Sequence, residues 1–252
     1  MESMDSYRAL LKSERWTEWE GLETDQRQGA PAPPLEKPCP AGATLVDLVP
    51  PGELTSGTMP LIEAIRKRRS RRQFTDEPLT LEELSFLLWA TQGVREVAQG
   101  GASTRRTVPS AGGRHPFETY IAVYNVAGLA PGLYRYLPLE HRLCLLQAGE
   151  GLAERVIAGC RGQRFAGRCA ATFIWTVLPY RAEWRYSIIA HKMIAQDAGH
   201  LCQNLYLASE AIGAGTCAIG AYDQATMDAV VGVDGRDECT IYAAPVGKVK
   251  GG

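Results

Sequence analysis

Apolar runs of strand length lie at Thr119 to Tyr124, Leu133 to Tyr136, Leu143 to Gln147, Ala170 to Leu178, Thr216 to Tyr222 and Thr240 to Val246, and they predict six strands. Two helical patterns precede them. Pro60 opens the first, where Leu61, Ile62, Ala64 and Ile65 lead into a basic cluster. Thr80-Leu81-Glu82-Glu83 reads as a capping box for the second, which Leu84, Leu87, Leu88 and Ala90 to Thr91 continue until Gly93 stops it. Between the fourth and fifth strands the pattern predicts one long helix, roughly Glu183 to Ile212. Its apolar positions (Ile188, Ile189, Met193, Ile194, Ala198, Leu201, Cys202, Leu205, Tyr206 and Leu207) exceed a single stripe, so the helix is covered on several sides. A subunit interface is the economical cover. The element order is not a regular β-α repeat, which points to an α+β sandwich over a doubly wound parallel sheet.

The N-terminal stretch has a different character. Seven prolines between Gly29 and Pro51 exclude helix interiors and central strands and favour extended backbone. Residues 1–59 are therefore expected to form an arm, and residues 60–252 the body. Leu10, Leu11, Trp16 and Trp19 have helix-like spacing, so the arm can pack on the body or on a partner subunit.

Composition narrows the function classes. The 252 residues are 45% hydrophobic and 22% charged with a formal charge of −1, which is globular and gives no bulk attraction to nucleic acid or to a membrane surface. Seven cysteines without a C-x-x-C pair argue against a disulfide framework and a zinc site. With neither a signal-like N-terminus nor an apolar run of membrane-spanning length, a reducing cytoplasm is the expected home.

Against that neutral background, Arg66-Lys67-Arg68-Arg69-Ser70-Arg71-Arg72 places six cations in seven positions. They could simply answer the dipole at the end of the Pro60 helix. Alternatively, arginine forks and a serine hydroxyl together suit a phosphate. Nucleic acid fits less well, because only Arg105, Arg106 and Arg114 accompany the run. Pro109-Ser110-Ala111-Gly112-Gly113-Arg114 has the small residues of a tight turn. Gly213-Ala214-Gly215-Thr216-Cys217-Ala218-Ile219-Gly220 runs from helix into strand, the reverse of a dinucleotide fingerprint. The four histidines form no metal spacing, and no serine sits in a G-x-S-x-G elbow.

Taken in order, Arg68-Arg69-Ser70-x-Arg72, the Pro109 to Gly113 turn, Ala198-Gly199-His200 with Gln203-Asn204, and Gly213-x-Gly215-Thr216-Cys217-x-x-Gly220 resemble the FMN-dependent nitroreductase superfamily. Arg106 to Arg114, preceded by Leu88-Trp89-Ala90-Thr91-Gln92-Gly93, is similar to its SagB-type branch. The resemblance covers about residues 60 to 250. It implies a nitroreductase-like α/β/α sandwich with a mixed, mainly antiparallel sheet, assembled as an intertwined homodimer.

The resemblance also implies a site. Arg68 and Ser70 reach the FMN phosphate and ribityl chain, with Arg69 among the cofactor-binding residues, and Arg72 approaches the pyrimidine edge of the ring beside Gln163. Lys248 and Lys250 complete the phosphate pocket. Pro109, Ser110, Ala111 and Gly113 come from the other subunit, and the backbone of Ala218, Ile219 and Gly220 faces flavin N5 and O4. No side-chain acid or base is compulsory, because the flavin carries the hydride.

The expected activity is hydride transfer between NADH or NADPH and a small organic acceptor. The rivals are a flavin-binding or flavin-sequestering protein without redox turnover and a dehydrogenase acting on a peptide-derived substrate. Peptide azoline dehydrogenases of the branch use a Lys-Tyr pair before the long helix. Here Pro179 to Tyr186 reads Pro-Tyr-Arg-Ala-Glu-Trp-Arg-Tyr, which argues against azole formation.

Overall fold

The computed structural model describes residues 4–98 and 100–251. Its helices are α1 (Met4–Ala9), α2 (Leu61–Lys67), α3 (Leu81–Gln92), α4 (Leu152–Gly159), α5 (Tyr180–Tyr186), α6 (Ala190–Ala211) and α7 (Gln224–Val231). The strands are β1 (Leu45–Asp47), β2 (Val94–Val97), β3 (Thr104–Arg106), β4 (Phe117–Val123), β5 (Gly132–Leu137), β6 (Arg142–Ala148), β7 (Ala171–Val177), β8 (Ala214–Thr216) and β9 (Cys239–Lys248). Seven of them form one sheet in the order β1-β6-β5-β4-β7-β9-β8, and β2 and β3 form a separate hairpin.

Every ladder of the large sheet is antiparallel. Parallel pairing enters only as the isolated bridges Ser70–Thr216 and Leu79–Val126 among the described residues. Because successive side chains on a strand point to opposite faces, one sheet feeds two cores. Phe117, Ile121 and Val123 of β4 join Leu84, Leu87 and Leu88 of α3 and Leu201 and Leu205 of α6. Tyr120 and Ala122 of the same strand join Leu152 and Val156 of α4 and Met227 and Val230 of α7. The result is the expected α+β sandwich of three layers.

Local signals set several boundaries. Thr80 caps α3 by accepting from the Glu83 N–H at 3.1 Å, while the Glu83 carboxylate accepts from the Thr80 N–H at 2.9 Å. The predicted helix from Glu183 to Ile212 is in fact two helices. Ser187 takes φ 46°, and a turn of 3-10 helix separates α5 from α6. Apolar spacing continues on both sides of this break, so periodicity cannot reveal it. The strand predicted at Thr216 to Tyr222 is also corrected: β8 ends at Thr216, and beyond it Ile219 keeps only a bridge to Ala243. Helix α6 packs on α2, α3, α5, β8 and β9 of its own chain, so its apolar surface does not by itself require a second subunit.

The arm is woven into the body. β1 adds an edge strand to β6, where a short strand beyond the prolines fits. Lys37 forms an ion pair with Glu238, and the Lys37 N–H donates to the buried Glu118 carboxylate at 2.9 Å. Glu118 also receives Arg181 at 2.6 Å. Nearby Arg106 is held by Gln92 at 2.9 Å, and burial pulls its pKa down to about 10.

The expected absence of a disulfide framework meets one exception: Cys39 of the arm and Cys144 of β6 form a disulfide, with Cα atoms 6.7 Å apart. The β1–β6 register lays the arm across β6, a proximity that residue spacing cannot reveal. No helix among the described residues is long and apolar enough to cross a membrane.

Candidate cofactor site

The basic run leaves α2 and lies along β8. Arg68 ends the helix, with its N–H donating to the Ala64 carbonyl at 2.9 Å. The Arg71 N–H then donates to the Thr216 carbonyl at 2.9 Å, beside the Ser70–Thr216 bridge. Close approach here needs Gly215, because a Cβ on it would lie 2.4 Å from Arg71 Cγ. Arg71 turns inward to Glu210 at 3.4 Å, with side-chain exposures of 18% and 5%. Arg69, Ser70 and Arg72 stay exposed, and Arg72 lies over the Phe165 ring at 5.8 Å.

A cavity of about 570 Å³ opens beside this run, lined in part by Arg69, Ser70, Arg71, Arg72 and Lys250. Four cations and no acid line it. Arg71 Nε is buried without a hydrogen-bond partner. A cavity bordered by four cations and no acid fits a phosphate-bearing group, whose oxygens accept several bonds at once. The residues present therefore fit the phosphate end of FMN.

The other predicted residues are spread around this cavity and beyond it. Arg68 and Ala218 converge on Tyr206 of α6: the Arg68 guanidinium is 5.4 Å from its ring centroid, and the Ala218 N–H donates to its hydroxyl at 2.9 Å. Gln163 donates from Nε2 to the Ala221 carbonyl at 2.9 Å and the Cys160 carbonyl at 3.0 Å, which pins the chain just past Gly220. The Ile219 N–H is taken by the Ala243 carbonyl at 2.7 Å, while Gly220 is exposed. Lys248 departs from the expected pair. Its ammonium is held by Glu83 and by the Ile212 carbonyl, so of the two lysines only Lys250 lines the cavity.

The Pro109 to Gly113 turn is anchored elsewhere. Ser110 donates its hydroxyl to Asp197 at 2.6 Å, and the Ala111 N–H reaches the same oxygen at 3.1 Å. Ser110 Oγ also accepts from the His115 N–H at 2.9 Å, so its proton is already committed within the chain. Gly112 and Gly113 take φ 59° and 64°, as glycine allows at low cost. Burial raises the pKa of Asp197, against the lowering effect of its bonds to Ser110 and Ala111. Asp197 precedes Tyr206 by nine residues of one helix, a separation of roughly 13 Å at 1.5 Å per residue. Within one chain, the turn and the basic run thus sit at different levels of α6.

Tyr206, Glu210, Asp197 and Phe165 escaped the sequence reading. Asp197 and Glu210 left a signal, being acids that fall on the mainly apolar buried stripe of α6. Tyr206 left none, because it counts as one more apolar position.

The chain matches the nitroreductase family over residues 65–248, most of its length, and belongs to that family. A protein of Methanocaldococcus jannaschii named as a nitroreductase is 33% identical over 177 residues, covering 68% of this chain and 86% of that protein. The trifolitoxin-processing protein TfxB of Rhizobium leguminosarum is 32% identical over 121 residues, 45% of this chain and 31% of its own length. A crystal structure of a Ralstonia eutropha protein named as a nitroreductase superposes with a TM-score of 0.67 at 27% identity, covering 88% of this chain and all of that one.

Proposed function

We propose that this nitroreductase-family chain is an FMN-dependent oxidoreductase of the SagB-type branch that passes hydride between NADH or NADPH and a small organic acceptor. The observation that carries the reading is the cavity beside Arg69 to Arg72, with four cations and no acid. Arg69, Ser70 and Lys250 would hold the phosphate there, with Arg68 stacked on Tyr206 behind Ser70. When bound, FMN supplies hydride acceptance and donation at N5. Arg72, steadied over Phe165, offers a cation that favours negative charge on a reduced ring. Gln163 fixes the Gly220 segment that the ring would face.

A homodimer completes the reading. Helix α2 exposes Leu61, Ile62 and Ile65 by 64%, 54% and 53%, an apolar edge suited to a second copy. The separation along α6 lets the Pro109 to Gly113 turn of one copy serve the cofactor of the other. Because Ser110 and the Ala111 amide are committed to Asp197, Pro109 and Gly113 would make that contact by shape rather than through the Ser110 hydroxyl.

The match to TfxB favours a second reading, a dehydrogenase acting on a peptide-derived substrate. The absence of a Lys-Tyr pair between Pro179 and Tyr186 weighs against azole formation within it. Anaerobic mixing of the FMN-loaded protein with NADPH or NADH tests the proposal. Bleaching of the flavin band, followed by reoxidation with a quinone, nitroarene or enone, supports it. A flavin that neither donor reduces leaves a flavin-sequestering protein or the dehydrogenase of the second reading.

A further inference from the structure

Tyr206 makes three contacts that nothing else in the site shares. Its hydroxyl accepts the Ala218 N–H at 2.9 Å and lies 3.0 Å from Ser70 Oγ, and its ring carries the Arg68 guanidinium at 5.4 Å. Donor accounting gives the chain of bonds a direction. A backbone amide can only donate, so the phenolic oxygen is the acceptor from Ala218. Either hydroxyl can donate across the Tyr206–Ser70 contact, and giving the phenolic proton to Ser70 Oγ provides every donor of the relay but the last with an acceptor. The Ser70 proton is left over, on a side chain that is exposed and lines the cation-bordered cavity. In the opposite orientation Ser70 would spend its proton on tyrosine, and the tyrosine proton would have no partner in this relay.

We infer that Tyr206 is a positioning residue that sets Ser70 as a hydrogen-bond donor to a phosphate monoester and ties that donor to the Ala218 segment across the site. The inference rests on the FMN reading and adds to it how the phosphate end is organised. Ala218 N–H to Tyr206 O–H to Ser70 O–H forms one directed relay ending at the cavity. The Arg68 stack on the same ring places a cation beside that end. Tyr206 touches neither the reacting atoms nor, on this account, the phosphate itself.

The test is the affinity of the full-length protein for FMN and for riboflavin, which lacks the phosphate, measured by flavin fluorescence. Four forms are compared: wild type, Tyr206→Phe, Ser70→Ala and the double variant. Tyr206→Phe keeps the ring under Arg68 and removes only the hydroxyl. It should raise the Kd for FMN about 5- to 15-fold, the scale of one net hydrogen bond, and weaken riboflavin, which feels only the loss at the Ala218 N–H, by clearly less.

Adding Tyr206→Phe to Ser70→Ala should cost less than Tyr206→Phe costs alone, because only the Ala218 bond is then left to lose. Equal weakening of FMN and riboflavin would assign Tyr206 a merely structural role and overturn the inference. Additive losses in the double variant, or an unchanged FMN affinity in Tyr206→Phe, would do the same. If wild type binds FMN but not riboflavin, the double-variant cycle decides alone. A wild-type protein that binds neither flavin contradicts the cofactor reading itself.

Discussion

Adding one methyl group at Gly215 separates packing from ligand contact. Its new Cβ would stand 2.4 Å from Arg71 Cγ, 2.7 Å from Arg71 Cβ and 3.0 Å from Val249 Cγ1. The first two atoms belong to the root of the arginine, and the Arg71 N–H is fixed to Thr216, so the side chain cannot swing clear. The basic run must lift off β8, which also strains the Arg71–Glu210 pair. Overpacking of this kind costs about 1–3 kcal/mol, or roughly 2–4 °C in Tm for each kcal/mol in a chain of this size. Gly220→Ala is the contrast. A Cβ there meets nothing within 4 Å, so stability should stay within about 0.5 kcal/mol of wild type. If a flavin packs on that backbone, however, FMN affinity should fall. Urea denaturation of the FMN-free protein and FMN titration of each variant give the four numbers needed. A Gly215→Ala protein as stable as wild type would refute the packing argument. A Gly220→Ala protein that binds FMN normally would remove that segment from the site.

Other consequences can be checked in the same way. Lys250→Ala should weaken FMN binding by about 1.5–3 kcal/mol, the range for hydrogen bonds to charged groups, and spare stability. Lys248→Ala should instead lower the unfolding free energy read from urea denaturation, by about 1–3 kcal/mol, because it leaves Glu83 without its ammonium partner. Arg72→Met should lower the flavin potential by about 30–80 mV, measured by potentiometric titration, if its cation stabilises about 1.4–3.7 kcal/mol of charge gained on reduction. An unchanged potential with FMN fully bound would shift that role to another cation.

Burial, with Arg106 adding to it, holds the His115 pKa down at about 3, against an ordinary value near 6.5. The folded state therefore keeps this ring neutral while the unfolded chain takes up the proton. Its stabilisation is complete above about pH 6.5 and declines as pH falls towards 3, by up to about 1.4 kcal/mol per pH unit. In thermal melts from pH 7 to pH 4, His115→Asn should flatten that decline relative to wild type.

Much of this architecture is legible where chemistry is local. The Thr80–Glu83 capping box is a three-residue interaction and appears where the residues place it, as do the strands from Phe117 to Ala148 and β7. Long-range pairing is what single-chain patterns miss. β1, the Cys39–Cys144 disulfide and the Glu118–Arg181 pair join residues 63 to 105 positions apart. In the candidate site, the resemblance brought out Arg68, Arg69, Ser70 and Arg72 and passed over Arg71, which turns to Glu210. It placed Lys248 beside Lys250 because spacing alone cannot show that an acid at Glu83 captures one of them. Tyr206 stayed hidden because hydrophobic periodicity counts its ring and ignores its hydroxyl.

The central claim is that the cation-lined cavity holds the phosphate of FMN. Its most direct test is to purify the protein, saturate it with FMN, remove the excess, and identify what heat denaturation releases by chromatography. The account predicts a yellow protein that releases one FMN per chain, with no FAD. A colourless protein that takes up no FMN from a micromolar solution would contradict it.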